Sequence, residues 1–181
     1  MSDVQIGVIG GTEKRDITIV DYDAEWPKKF QKHAEIIRKA LGDTALQIEH
    51  IGSTSVPELA AKPIIDILVV VSDSSDESMY LSQLESAGYV LRVREPDFHE
   101  HRMMRTPDKD VHIHIYSPSS SEVERYLLFR NQLRKDPEAR KRYEDVKRQL
   151  ASQSWSDMNA YADAKTKVVE EIIESARTKS E

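Results

Sequence analysis

The residues of this chain best suited to chemistry lie between Gln47 and Tyr116. Gly52-Ser53-Thr54-Ser55 directly follows the stretch Gln47 to Ile51, which reads as a strand. A small-residue loop leaving a strand can turn backbone N–H groups and hydroxyls toward one point, which suits a phosphate. The same four residues also make an ordinary strand-to-helix turn in which the hydroxyls only cap, and composition alone leaves both readings open. Lys62 precedes Pro63, which stiffens the entry to the next strand, and a lysine there serves either the surface or an anion. Asp66 is different. It interrupts the run Ile64, Ile65, Ile67, Leu68, Val69, Val70 and Val71. A carboxylate in such a run is costly unless it is paired or coordinated, so a functional role is favoured over a structural ion pair.

His112 and His114 stand two residues apart, so both imidazoles leave one face of a strand, about 6–7 Å apart. Tyr116 continues that face, and Val111, Ile113 and Ile115 line the other. Such a pair can share a metal ion, or one ring can act as general base while the other orients a phosphate. A solvated polar sheet face is the alternative. His50 and Glu49 point to opposite sides of their strand, and either could join the site. His99 and His101 fall in a polar region and are weaker candidates, while His33 reads as a packed boundary residue. Arg130 is flanked by Leu127, Leu128, Phe129 and Leu133; an inward arginine there needs an anionic partner from protein or ligand.

The elements that must hold these residues follow from periodicity. Gly7, Gly10 and Gly11 match neither a phosphate loop nor a dinucleotide fingerprint, so residues 1–16 read as a flexible arm or loop. Ile17 to Tyr22 reads as a short strand. Asp23 caps a helix carrying Trp26, Phe30, Ile37 and Leu41 at helical spacing, ended by Gly42. After the central stretch, Ser72 to Asp76 turns the chain into a helix reaching Ala87. Strands are expected at Tyr89 to Arg94, at His101 to Met104 and at Val111 to Tyr116. The period then becomes helical: a capping box at Ser121 and Glu124, a restart at Asp136-Pro137, and a third helix from near Ser156 with Met158, Tyr161, Ala164, Val168, Ile172 and Ile173 as its stripe. Residues 17–181 therefore form a single domain, a mixed α/β core over 17–118 and a helical part over 119–181.

Composition narrows the function classes. Hydrophobic residues make up 39% and charged residues 32% of 181 residues, as in a globular protein with a charged surface. The net charge of −6 argues against nucleic acid as a partner. The stretch from Arg125 to Arg148 is locally basic, which usually marks a solvated helical face. Cysteine is absent, which excludes disulfides and thiolate metal sites and fits a cytoplasmic location. No apolar run is long enough to span a membrane, and the first residues lack the pattern of a signal peptide.

The segments IVDYDAEWPKKF, IEHIGSTSVPELAAKPIIDILV, VHIHIY and FRNQLRKDPEARKRYEDVK occur in this order from Ile19 onward. Together they resemble the GrpB family of small bacterial proteins. The resemblance implies an α/β (α+β), nucleotidyltransferase-like mixed β-sheet with flanking helices and a helical C-terminal part. A similar domain is fused to dephospho-CoA kinase in some bacteria. In the wider superfamily a Gly-Ser loop grips nucleotide phosphates, and a D-x-D pair with a third carboxylate holds divalent metal ions. Gly52-Ser53 matches the loop and Asp66 the first carboxylate. Leu68 stands at the second position, and the third has no match; His112 and His114 occupy that sheet instead. Glu58 stands where the family commonly has glycine.

Two functions follow as expectations. One is an enzyme of nucleotidyl or phosphoryl transfer acting on a phosphorylated molecule or nucleotide. Ser53, its neighbours and Lys62 would hold phosphate, with Asp66 and His112 or His114 on one divalent ion, Mn²⁺ or Zn²⁺ rather than Mg²⁺. The other is a binding module for the same ligands without catalysis. Both require Ser53, Asp66, His112 and His114 to converge on one pocket.

Overall fold

The computed structural model describes residues 4–11, 13, 18–152 and 158–179, with the side chains of 158–164 left aside. Among these residues six strands form one mixed sheet in the order β1-β4-β5-β6-β3-β2. They are β1 (Gly7–Val8), β2 (Gln47–Ile51), β3 (Ile65–Val70), β4 (Val90–Glu95), β5 (His101–Arg105) and β6 (Val111–Tyr116). The central pair, β3 and β6, is parallel, and the remaining pairs are antiparallel. Helices α1 (Glu25–Leu41) and α2 (Leu81–Ser86) precede the last three strands, and α3 (Ser121–Lys135), α4 (Pro137–Ala151) and α5 (Met158–Thr178) follow them.

Strand alternation splits the core in two. Ile65, Ile67, Val69, Val111, Ile113 and Ile115 point to one face and bury Trp26, Ile37 and Leu41 of α1 and Leu84 of α2. The other face is apolar only at one end, where Leu68, Val70 and Tyr116 pack with Ile51 against Val123, Tyr126 and Leu127 of α3. The helical part has its own core: Val56 and Leu59, from the connection between β2 and β3, pack with Phe129, Leu133, Tyr143, Val168, Ile172 and Ile173. That connection is thus clamped between the sheet and the helices. No helix among the described residues is long and apolar enough to cross a membrane.

Several elements differ from the sequence reading. Gly7–Val8, read as part of an arm or loop, pairs with β4, because Arg92 donates to the Ile9 and Gly11 carbonyls and Arg94 to that of Gln5. Of the strand expected at Ile17 to Tyr22, Ile17 lies outside the described residues and only Val20 pairs, in a single bridge to Ala61. The helix expected from Asp76 to Ala87 shortens to α2 behind a separate turn at Glu77–Met79, capped by the Asp76 carboxylate. Asp23 accepts from the Glu25 N–H at 2.8 Å, one place outside the usual cap position. Ser120 rather than Ser121 caps α3, accepting from the Glu122 N–H. Asp136 and Pro137 open α4 as expected. Ser156 lies outside the described residues.

Candidate functional site

Register builds the site. The parallel pairing sets Asp66 beside His112 and Leu68 beside His114, so these four and Tyr116 share the face turned toward α3, α4 and α5. The apolar contacts of Leu68 and Tyr116 with α3 close one end of that face. The other end, beneath the Gly52–Ser55 turn, is polar.

At that end His114 Nε2 lies 3.2 Å from Asp66 Oδ1, and His112 Nδ1 lies 3.8 Å from the same oxygen. Each of the three residues offers one ligand atom, and these atoms all lie within 4.8 Å of one another. Burial alone would raise the Asp66 carboxyl. The His114 hydrogen bond and the charges of His114, His112 and Lys62 outweigh it and hold the group below its ordinary value. Two imidazoles and one carboxylate fit Zn²⁺ or Mn²⁺ better than Mg²⁺, which prefers an all-oxygen shell. Leu68, fully buried, adds no ligand.

The turn after β2 contributes in unequal parts. Gly52 takes φ +73°, which lets the chain pass directly over the Asp66 carboxylate. Ser55 spends its hydroxyl on the Gly52 carbonyl, the capping role. Thr54 donates to the Ile64 carbonyl at 2.9 Å and contacts His50 Nε2 at 3.0 Å, tying the turn to the start of β3. His50 stacks on Phe30 at 4.8 Å, and burial pushes its pKa down to about 4, so it is neutral. Burial pushes the phenol of Tyr143 of α4 up to about 12, and the neighbouring Ser53 side chain works against that rise.

A pocket of about 150 Å³ opens here, lined by Ile19, Ser53, Thr54, Lys62, Ile64, Asp66, His112, Lys147 and Lys165. The structure therefore brings Ser53, Thr54, Lys62, Asp66 and His112 together, with His114 reaching the pocket through Asp66. Gly52 and Ser55 shape the turn. His50 and Arg130 are not in the lining. Arg130 finds its anionic partner within the protein, donating to Glu49 at 2.7 Å and to the His50 carbonyl at 3.1 Å.

Sequence reasoning missed Lys147 and Lys165, which come from α4 and α5. Lys147 is 2% exposed, donates to the Ala60 carbonyl at 2.8 Å and lies 4.9 Å from the centre of the Tyr143 ring. Burial, with help from Lys165, Lys62 and Arg148 against Glu144, lowers its pKa to about 7. Its signal was present: Lys147 follows Tyr143 by one helical turn and adjoins Val146 on the apolar stripe of α4. The basic residues around it chiefly find acidic partners, as Arg125 does with Glu170, Arg140 with Glu58 and Arg142 with Glu171. His101, ranked a weaker site candidate, opens β5 where a strand was expected and contacts His114; burial pushes its pKa down to about 3.

Fold and site together define a mixed α/β protein whose helical tail completes a cationic pocket beside a carboxylate–histidine cluster. The chain belongs to the GrpB family: the family model, described as GrpB protein, matches residues 16–175. A UPF0157 protein of Halalkalibacterium halodurans is 52% identical over 88% of this chain and 82% of its own. The crystal structure of the conserved protein GrpB from Enterococcus faecalis superposes with a TM-score of 0.76 at 34% identity, over 87% of this chain and 98% of that one. A dephospho-CoA kinase of Mycolicibacterium paratuberculosis is 28% identical over 82% of this chain, which spans 43% of that protein. The α/β sheet with flanking helices and a helical C-terminal part agrees with what the family resemblance implies.

Proposed function

We propose that this protein is an enzyme of nucleotidyl or phosphoryl transfer whose pocket takes the phosphate end of a nucleotide or other phosphorylated small molecule. One observation carries the reading: three lysines from three separate elements, Lys62, Lys147 and Lys165, line one pocket with the Ser53 and Thr54 turn and with Asp66 and His112. Lysines gathered beneath helices and close to a half-buried carboxylate suit an anion. A pocket of about 150 Å³ accommodates a phosphoryl group but not a whole nucleotide, so the remainder of the ligand would lie along the surface.

Within this reading Ser53 and the lysines bind and orient the phosphate, while Asp66, with His112 and His114, holds a divalent ion or accepts the nucleophile's proton. When bound, such an ion supplies positive charge beside the phosphoryl oxygens. A second reading, a binding module without catalysis, is favoured by Leu68. The position that would carry a second carboxylate is apolar and buried, so the cluster has a single carboxylate.

A thermal-shift screen of nucleotides and coenzyme A precursors, with and without Mg²⁺, Mn²⁺ and Zn²⁺, separates the two; the kinase match makes those precursors worth including. Transfer predicts metal-dependent stabilisation and product formation that Asp66→Ala abolishes. Turnover unchanged in Asp66→Ala would sink the enzyme reading. Stabilisation without product and without metal dependence selects the binding module.

A further inference from the structure

The polar face carries a chain of four groups that reaches well beyond the pocket. Glu95 Oε1 lies 2.7 Å from His101 Nδ1, His101 Nε2 lies 3.1 Å from His114 Nδ1, and His114 Nε2 lies 3.2 Å from Asp66 Oδ1. The two imidazoles are 12° from parallel, and the Tyr116 ring stacks on His101 at 4.9 Å. Backbone register imposes this alignment: Glu95 pairs with His101 across β4 and β5, and His114 lies one strand further in.

The chain has a proton deficit. An ionised carboxylate only accepts, and a neutral imidazole carries one N–H and one lone pair. Three contacts between two carboxylates and two imidazoles need three protons, and two neutral rings supply two. Glu95 takes the His101 Nδ1–H, so His101 Nε2 accepts the His114 Nδ1–H. With both rings neutral, His114 Nε2 then turns a lone pair toward an oxygen that also has only lone pairs, and the hydrogen bond that holds the Asp66 carboxyl down forms only when a further proton enters this gap. The gap left without a proton is the longest of the three, and it is where the third donor residue, His112, converges.

We propose that this gap is a divalent metal site, and that Glu95 and His101 are positioning residues that lock His114 as the tautomer offering Nε2 to the ion. The inference rests on the metal-bearing reading proposed above, and it names residues that reading does not use. A nitrogen-rich donor set with a carboxylate selects Zn²⁺ or Mn²⁺. Outer partners that fix a ligating histidine in this way typically govern affinity by about 10–100-fold.

The test is metal binding by the full chain, measured calorimetrically with ZnCl₂ and with MnCl₂ alone, on wild type, His101→Phe and His101→Gln. Phenylalanine keeps the ring against Tyr116 but cannot accept from His114; the glutamine carbonyl can. The proposal expects about 10–100-fold weaker binding for His101→Phe and partial recovery for His101→Gln. It also expects the histidine ¹⁵N spectrum of metal-free wild type to show His114 protonated at Nδ1 alone wherever that ring is neutral. Equal affinity in wild type and His101→Phe overturns it. So does a wild type that binds neither metal while His114 is doubly protonated, because a proton then fills the gap. Nucleotide stabilisation measured without metal reports separately on the phosphate reading; its loss removes that reading and leaves the metal result standing.

Discussion

Gly52 and Asp66 are packed so closely that a β-carbon on the glycine would stand 2.7 Å from the aspartate Oδ2. The absence of a side chain at one residue is what allows the carboxylate of the other to lie against the turn. Gly52→Ala therefore carries two costs. The left-handed backbone costs about 1–2 kcal/mol for an L-residue, and Asp66 must also move. Gly42 supplies the control, because it too has a positive φ but nothing stands within 4 Å of its would-be β-carbon. Denaturant titration should show Gly52→Ala losing more stability than Gly42→Ala, and only Gly52→Ala should lose metal or ligand affinity. Equal losses in the two variants would count against the contact.

Lys147 sets a pH signature. Its pKa is about 7 in the folded chain against an ordinary 10.5. Between those values the unfolded state holds the extra proton, so this group makes stability rise with pH from about 7 toward 10.5, and its cost is fully present below about 7. Lys147→Met should flatten that rise, removing a cost on the order of a few kcal/mol; urea midpoints across the range would measure it. An anion in the pocket should return the proton. Nucleotide affinity should then fall by up to about tenfold per pH unit above 7, with proton uptake visible as a buffer-dependent heat. Affinity independent of pH would place the anion away from this amine.

Arg130 separates stability from binding. Its guanidinium is buried and bonded to Glu49 and the His50 carbonyl, outside the pocket lining. Arg130→Ala should cost about 2 kcal/mol in unfolding free energy while leaving ligand-induced stabilisation unchanged. A selective loss of ligand binding at full stability would assign it to the ligand after all.

Glu58 holds φ +70°, a conformation that glycine adopts freely and other residues rarely do. Its side chain is mostly exposed and pairs with Arg140 at 3.2 Å. Glu58→Gly should raise stability by about 1 kcal/mol from relief of the backbone, less the fraction of a kcal/mol that a surface pair contributes. A lower melting temperature for the variant would show that the ion pair outweighs the backbone relief.

The strands and most helices were legible from periodicity, because burial on one face writes its spacing into the chain. β6 is the clearest case: Val111, Ile113 and Ile115 alternate with His112, His114 and Tyr116, and the two sets face opposite ways. Asp66 stood out for the same reason, as a charge in a run that burial would otherwise exclude. Local pattern read less well where long-range contacts decide, as in β1, which exists because Arg92 and Arg94 hold carbonyls from a segment some 80 positions earlier.

The sequence by itself determined the family, the order of the elements and part of the site: Ser53, Lys62, Asp66 and His112 in the pocket lining, and His114 against Asp66. Only the tertiary structure decided the remainder. The parallel β3–β6 register set His112 beside Asp66, antiparallel β5 brought His101 onto the same face, and the docking of α4 and α5 delivered Lys147 and Lys165. Each of these depends on contacts between residues far apart in sequence, and spacing along a chain does not report distance across a sheet or between a helix and a loop. The turn at Gly52 is thereby one wall of a site whose other walls lie up to 113 positions away.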